Sequence, residues 1–267
     1  MKNSEEILNR EKEFHDKHAS NINVHEISVD AYFESSTCPE NRFILQQIGN
    51  LKEKKILDLG CGAGENSVYF AKKGAKCTAT DFSCGMVKVT LALAKKYNVE
   101  IHAHEMNAME ISYPDNTFDF VYASNLLHHV NPHKTLKEMH RVLKPGGKAC
   151  FWDPLSHNPI INVYRMIATE VRTKDEKPLD ISIVKYLRSL FSEVNYDTFW
   201  ISALWIFLHF YLVEHVHPNK ERYWKKIIYE EERLRPLYLK LEKIDNLIKR
   251  FPFVKALAWN IAVVATK

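Results

Sequence analysis

Among 267 residues, 46% are hydrophobic and 26% are charged, which describes an ordinary soluble protein long enough for one large α/β domain with an insertion. The net charge of +4 is too mild to mark a nucleic-acid binder, and no DNA partner is expected. Five cysteines, at 38, 61, 77, 84 and 150, are odd in number and form no C-x-x-C pair, which argues against a disulfide framework or a zinc site and for a reduced, cytoplasmic setting. The amino-terminal residues lack an apolar leader core and are too acidic for a transit peptide, so no secretion is expected. The longest apolar run, 199–213, has 15 residues, where crossing a bilayer takes about 20.

Residues 1–50 read as an amphipathic helical arm, broken around 35–40 and resumed by a helix over 42–48 that ends at Gly49. Phe14, His15, Asp16, Tyr32 and Phe33 lie on this arm. The apolar stretch 56–59 suits a central parallel strand covered on both faces. It runs straight into Gly60-Cys61-Gly62-Ala63-Gly64, where three glycines in five positions let the backbone approach a ligand closely. A helix opening near Glu65 adds unpaired N–H groups and the positive end of its dipole, which favours a carboxylate or phosphate at the turn. A dinucleotide fingerprint would place its third glycine where Glu65 stands, which counts against an NAD-binding oxidoreductase, the alternative reading.

The run Asp58-Leu59-Gly60-Cys61-Gly62-Ala63-Gly64 resembles the first motif of class I methyltransferases that use S-adenosylmethionine. The resemblance implies that Asp58, Gly60, Gly62 and Gly64 hold this cofactor, and that the arm folds over it. A helix over 67–73 stops at Gly74, and a second strand over 76–80 ends on Asp81. Asp81 follows Gly60 by 21 positions, the separation at which a carboxylate at the neighbouring strand tip can accept both ribose hydroxyls. Ser83 is available to cap the next helix in its place. Phe82 and Met86 can line an adenine ring with apolar surface. After a helix over 85–97 and a strand over 99–105 come Asn107 and Ala108, where the family supplies a side chain and a backbone amide to the adenine edge. Asp is commoner than Asn at that position in the resembling sequences; an amide offers both a donor and an acceptor.

Pro114-Asp115-Asn116-Thr117-Phe118-Asp119 precedes a fourth strand that runs to Ser124, which we count among the cofactor contacts. Leu127-His128-His129-Val130 follows, and Lys144-Pro145-Gly146-Gly147 lies beyond the next helix, read as its stop and a hairpin into the fifth strand. Together these segments resemble the small-molecule methyltransferases that include ubiquinone- and menaquinone-pathway enzymes. Asn131 and Pro132 read as cap and first residue of the intervening helix. The fifth strand ends on Asp153. In natural-product O-methyltransferases with a similar His-His element, a histidine and an acid after the fifth strand act together, which makes His128, His129 and Asp153 the catalytic candidates. Which histidine points inward is open, and the pair can instead cap the loop. His157, His209, His215 and His217 can line the acceptor side, but no pair of them has metal-ligand spacing with an acidic partner, so no metal is expected.

A helix over 160–172, another over 180–190, a strand over 192–199 and a last strand over 259–267 complete an α/β, doubly wound, Rossmann-like seven-stranded methyltransferase sheet. The chain then divides into an arm (1–50), a cofactor-binding core (51–199), a helical insertion (200–255) and the last core strand (256–267). The insertion begins with Phe199, Trp200, Trp205, Phe207, Phe210 and Tyr211, and over 220–255 it carries eleven Lys/Arg against six Asp/Glu. Such a segment can form a helical lid with its aromatic face on the sheet and a solvated charged face, close a greasy acceptor pocket, or touch an anionic membrane surface. The expected acceptor is small and partly apolar, with O-methylation favoured over S-, N- or C-methylation. RNA is the alternative acceptor, although the segment Ala123-Ser124-Asn125-Leu126 lacks the Asn/Asp-Pro-Pro-aromatic signature for planar amino groups. A non-catalytic cofactor-binding protein is the remaining alternative.

Overall fold

A computed structural model describes residues 2–267. The arm comprises α1 (Lys2–Ala19), a 3-10 turn, α2 (Ala31–Glu34) and α3 (Pro39–Ile48). The core alternates β1 (Lys55–Leu59), α4 (Glu65–Lys72), β2 (Lys76–Asp81), α5 (Cys84–Lys96), β3 (Ile101–Glu105), β4 (Phe118–Ser124), α6 (Pro132–Val142) and β5 (Leu143–Pro154). Beyond it lie α7 (Pro159–Ile167), α8 (Ile183–Leu190) and β6 (Glu193–Phe199). Helices α9 (Trp205–Leu212), α10 (Tyr223–Tyr229), α11 (Glu231–Ile248) and α12 (Pro252–Lys255) precede β7 (Asn260–Thr266).

The seven strands are ordered β3-β2-β1-β4-β5-β7-β6, parallel except for β7, which runs antiparallel to both β5 and β6. Ile56, Leu57, Leu59, Val121 and Ala123 are buried because helices cover both faces of the central strands. The chain leaves β1 toward β2 and β3 on one side and returns to β4 on the other. The resulting crevice at the carboxyl ends of β1 and β4 is where open α/β sheets take their ligands.

Local signals set most element ends. Ser83 Oγ accepts the Met86 N–H at 3.1 Å, and Asn131 Oδ1 accepts the Lys134 N–H at 3.0 Å, each filling a donor that a first helical turn leaves free. Two expectations fail. Lys144 to Gly147 make no hairpin; they bulge within β5, opposite Asp119, between the pairs Phe118–Leu143 and Phe120–Lys148. The Gly146 N–H donates to Lys267 O and the Lys267 N–H to Gly147 O, so the end of the chain supplies ladder partners that keep this segment in the sheet. The helix expected over 160–172 ends at Ile167. The chain there turns back so that the Lys177 N–H reaches His128 O at 2.7 Å.

Insertion aromatics divide sharply. Trp200, Phe207 and Phe210 are buried with Tyr223 and Tyr238 in a cluster of their own, whereas Trp205 is 61% exposed and Tyr211 40%. Asp245 of α11 ties this unit down by accepting the Ile201 and Ser202 N–H groups at 2.9 and 2.6 Å. Phe207→Ala should therefore cost about 3–5 kcal/mol, while Trp205→Ala should stay within about 0.5 kcal/mol of the parent. Urea unfolding midpoints check this; equal shifts for both variants would show that the cluster is not the core of the insertion. Among the described residues, no helix is long and apolar enough to cross a membrane.

Candidate active site

The glycine turn forms one wall of a cavity of about 360 Å³, bounded by the arm on one side and by α10 on another. All three glycines have positive φ, at 70°, 54° and 91°, and each serves a different purpose. A Cβ on Gly60 would sit 2.8 Å from Leu126 Cδ1, and one on Gly64 would sit 2.8 Å from Thr90 Cγ2. A Cβ on Gly62 would meet nothing within 4 Å, because Gly62 opens on the cavity. That vacancy beside bare backbone is a cradle for a ligand.

Asp81 stands at the cradle's rim. Its carboxylate accepts the Gly62 N–H at 3.0 Å and the Ser83 N–H at 2.9 Å, which locks the turn against the tip of β2. Burial pushes its pKa up while these two bonds oppose the shift. Phe82, Met86, Asn107, Ala108 and Ser124 also line the cavity. Asn107 Oδ1 accepts the Met109 N–H at 3.0 Å, leaving its amide NH₂ for a ligand acceptor. Ser124 Oγ accepts from Asn66 Nδ2 at 2.9 Å. Asp58 and Gly64, expected as cofactor contacts, lie behind the wall. Asp58 is fully buried and accepts from Ser67 Oγ, which anchors α4; burial pushes its pKa up to about 7. Gly64 gives the backbone a left-handed turn into α4 under Thr90.

Both histidines line the cavity, but Asp153 does not. Asp153 is fully buried and accepts the Leu126, Leu127 and His128 N–H groups at 3.1, 2.8 and 3.1 Å, together with His128 Nδ1 at 2.6 Å. It shapes the β4–α6 loop and fixes the His128 ring, with the Nδ1 proton toward the carboxylate and Nε2 left as the acceptor. Burial, and then the charge of His129, hold the His128 pKa below the usual histidine range against the opposing pull of Asp153. His129 behaves in the opposite way. Its Nδ1 lies 3.0 Å from Glu11 Oε2 of α1, a charge pair rather than an aligned hydrogen bond. Burial lowers its pKa, but Glu11 and Glu176 outweigh burial and raise it.

The arm is pinned over the cavity. Asp16 Oδ1 accepts from Ser83 Oγ at 2.5 Å and from the Gly85 N–H at 2.9 Å, while Phe14, His15 and Tyr32 face inward. Burial pushes Glu11 up, yet the imidazoles of His129 and His15 beside it leave it well below the usual carboxylate range. Ligand atoms of Glu11, His15 and His129, and of His128, His129 and Glu176, come within 4.8 Å of one another. Sequence spacing missed these groupings because they draw on α1, the β4–α6 loop and the loop after α7; only the four-residue step from Glu11 to His15 was visible. Also missed were Arg165, Arg172, Arg222 and Lys225, which line the same cavity. Of the insertion's leading aromatics, Trp200 alone is on the wall.

Residues 57–151 match the family model described as a methyltransferase domain. Demethylmenaquinone methyltransferase of Renibacterium salmoninarum is 33% identical over 147 residues, 55% of this chain and 60% of that protein. Ubiquinone biosynthesis O-methyltransferase of Alkalilimnicola ehrlichii is 30% identical over 130 residues, 48% of this chain and 52% of that protein. The chain thus spans about half to three-fifths of the length of these curated relatives. Among solved structures, Haemonchus contortus phosphoethanolamine N-methyltransferase 2 superposes with a TM-score of 0.57 at 18% identity, over 89% of this chain and 56% of the other, a likeness of fold.

Proposed function

From the methyltransferase domain matched over residues 57–151, we propose that the chain is a class I, S-adenosylmethionine-dependent methyltransferase that methylates a small, partly apolar acceptor, with oxygen as the favoured accepting atom. The observation that carries this reading is the open cradle at Gly62, facing Asp81 in the same cavity that holds the ring of His128. Bound S-adenosylmethionine supplies an electrophilic methyl carbon on a sulfonium. The remaining work falls to this chain. The Asp81 carboxylate accepts from ribose hydroxyls while keeping the glycine turn in place, and Phe82 and Met86 cover the adenine. α1 and α10 exclude water, so the accepting oxygen is held close to the methyl carbon. His128 Nε2 takes the proton as the oxygen attacks, and Asp153 supports the resulting imidazolium.

Calorimetric titration with S-adenosylmethionine, S-adenosylhomocysteine and NAD tests the cofactor. The first two should bind and NAD should not. Asp81→Ala should weaken S-adenosylhomocysteine by about 1–3 kcal/mol, roughly 5- to 150-fold. Unchanged affinity in a folded variant would remove Asp81 from the site, and an NAD isotherm alone would favour the oxidoreductase. Incubation with cell-extract metabolites and mass detection of the added methyl then identifies the acceptor.

A further inference from the structure

Part of the cavity wall is built for charge. Arg165 comes from α7, Arg172 from the loop after it, Arg222 caps α10, and Lys225 lies in the first turn of α10. Arg172 is neutralised by Glu176, its Nε donating to Oε2 at 2.6 Å. Among the described residues Arg165 has no carboxylate partner: it donates to Asn162 Oδ1 at 2.8 Å and to the Leu155 carbonyl at 3.0 Å. Arg222 and Lys225 make no side-chain hydrogen bond and no ion pair among the described residues. The carboxylates facing them are Glu65, whose pKa burial raises against the opposing charge of Lys225, and Glu176, already engaged by Arg172, so the four cations outnumber the two carboxylates. His18 offers no compensation, since burial and then the two cations hold its pKa down to about 4.

Extending the function proposed above and resting on it, we propose that the acceptor bears an oxyanion, a carboxylate or phosphate, that is held by Arg165, Arg222 and Lys225. Half-buried cations that outnumber the carboxylates facing them are costly, and a ligand oxyanion that pairs with them in the same enclosed space relieves their mutual repulsion. The guanidinium forks of the two arginines match the planar edge of either group. Tyr164, Trp200 and Trp224 line the same cavity, which suits an aromatic or apolar body behind the anion. The cofactor cannot satisfy all three cations. Its single carboxylate is accompanied by an ammonium and a sulfonium, so binding it raises the positive charge in the cavity. The cations lie inside a cavity of about 360 Å³ rather than along a surface track, which favours a small molecule over a nucleic-acid backbone.

The test titrates benzoate, phenyl phosphate and phenol into the full chain saturated with S-adenosylhomocysteine. One or both oxyanions should bind with one-to-one stoichiometry at least tenfold more tightly than phenol, the tighter one naming the group. The double variant Arg222→Gln/Lys225→Gln should lose that preference while melting temperature and S-adenosylhomocysteine affinity stay at parent values. Equal affinity for phenol, no saturable oxyanion binding, or an unchanged preference in the double variant each overturns the proposal. So does a parallel loss of S-adenosylhomocysteine affinity, which would assign the cations to the cofactor's carboxylate. Failure of the parent chain to bind S-adenosylhomocysteine at all would instead defeat the methyltransferase reading, so the two failures are told apart.

Discussion

Asp153→Ala should lose about 10²- to 10⁴-fold in kcat, the range of a positioned general base, and about 3–5 kcal/mol of stability. The stability cost follows from three backbone N–H groups, those of Leu126, Leu127 and His128, that would be left buried without their acceptor. The rate cost has a separate origin. His128 Nδ1 would lose the 2.6 Å contact that sets the tautomer, and the ring would no longer be held with Nε2 free. A positioning role can be distinguished from general loosening by varying the acceptor. A substrate already ionised at the assay pH has no proton to give up, so the Asp153→Ala deficit on it should shrink by at least tenfold relative to a neutral hydroxyl. Single-turnover rates with the two acceptors, beside urea unfolding, decide the matter. An equal deficit on both acceptors would leave Asp153 as loop support alone.

The second large effect comes from comparing two glycines of one turn. Gly64→Ala places a Cβ 2.8 Å from Thr90 Cγ2 and 2.9 Å from Thr90 Cα, at φ 91°. Left-handed strain and overpacking against backbone together should cost about 2–5 kcal/mol. Gly62→Ala meets no atom of the protein within 4 Å, so only the left-handed conformation opposes it, at about 1–2 kcal/mol. Its methyl group, however, stands in the cradle. S-adenosylhomocysteine affinity should therefore fall at least tenfold in Gly62→Ala, in a protein that still folds cooperatively. Thermal unfolding and calorimetry on both variants check the pair, and parent-like binding by Gly62→Ala would place the cofactor elsewhere in the cavity.

What the sequence determined by itself is whatever a few adjacent residues decide. The step from an apolar strand through Gly60, Gly62 and Gly64 into a helix is local backbone chemistry, and so are the caps at Ser83 and Asn131. Alternating strand and helix patterns were enough to place the seven strands, while the crevice at the ends of β1 and β4 follows from the strand order, which only the structure gives. The tertiary structure decided which side of a wall each residue occupies. β1 is buried on both faces, so its polarity gives no direction, and Asp58 turned toward Ser67 rather than the cavity. Asp153 and His128 stand on different elements 25 residues apart, and only the pairing of β4 with β5 fixes which of them faces the ligand. α9 is apolar at nearly every position, so periodicity could not show that Phe207 turns in and Trp205 out. α10 drew attention by its net charge alone; the side chains of Arg222 and Lys225 became cavity lining when the insertion folded back across the sheet. Burial and charge pairing depend on contacts between segments distant in the chain, which local pattern does not encode.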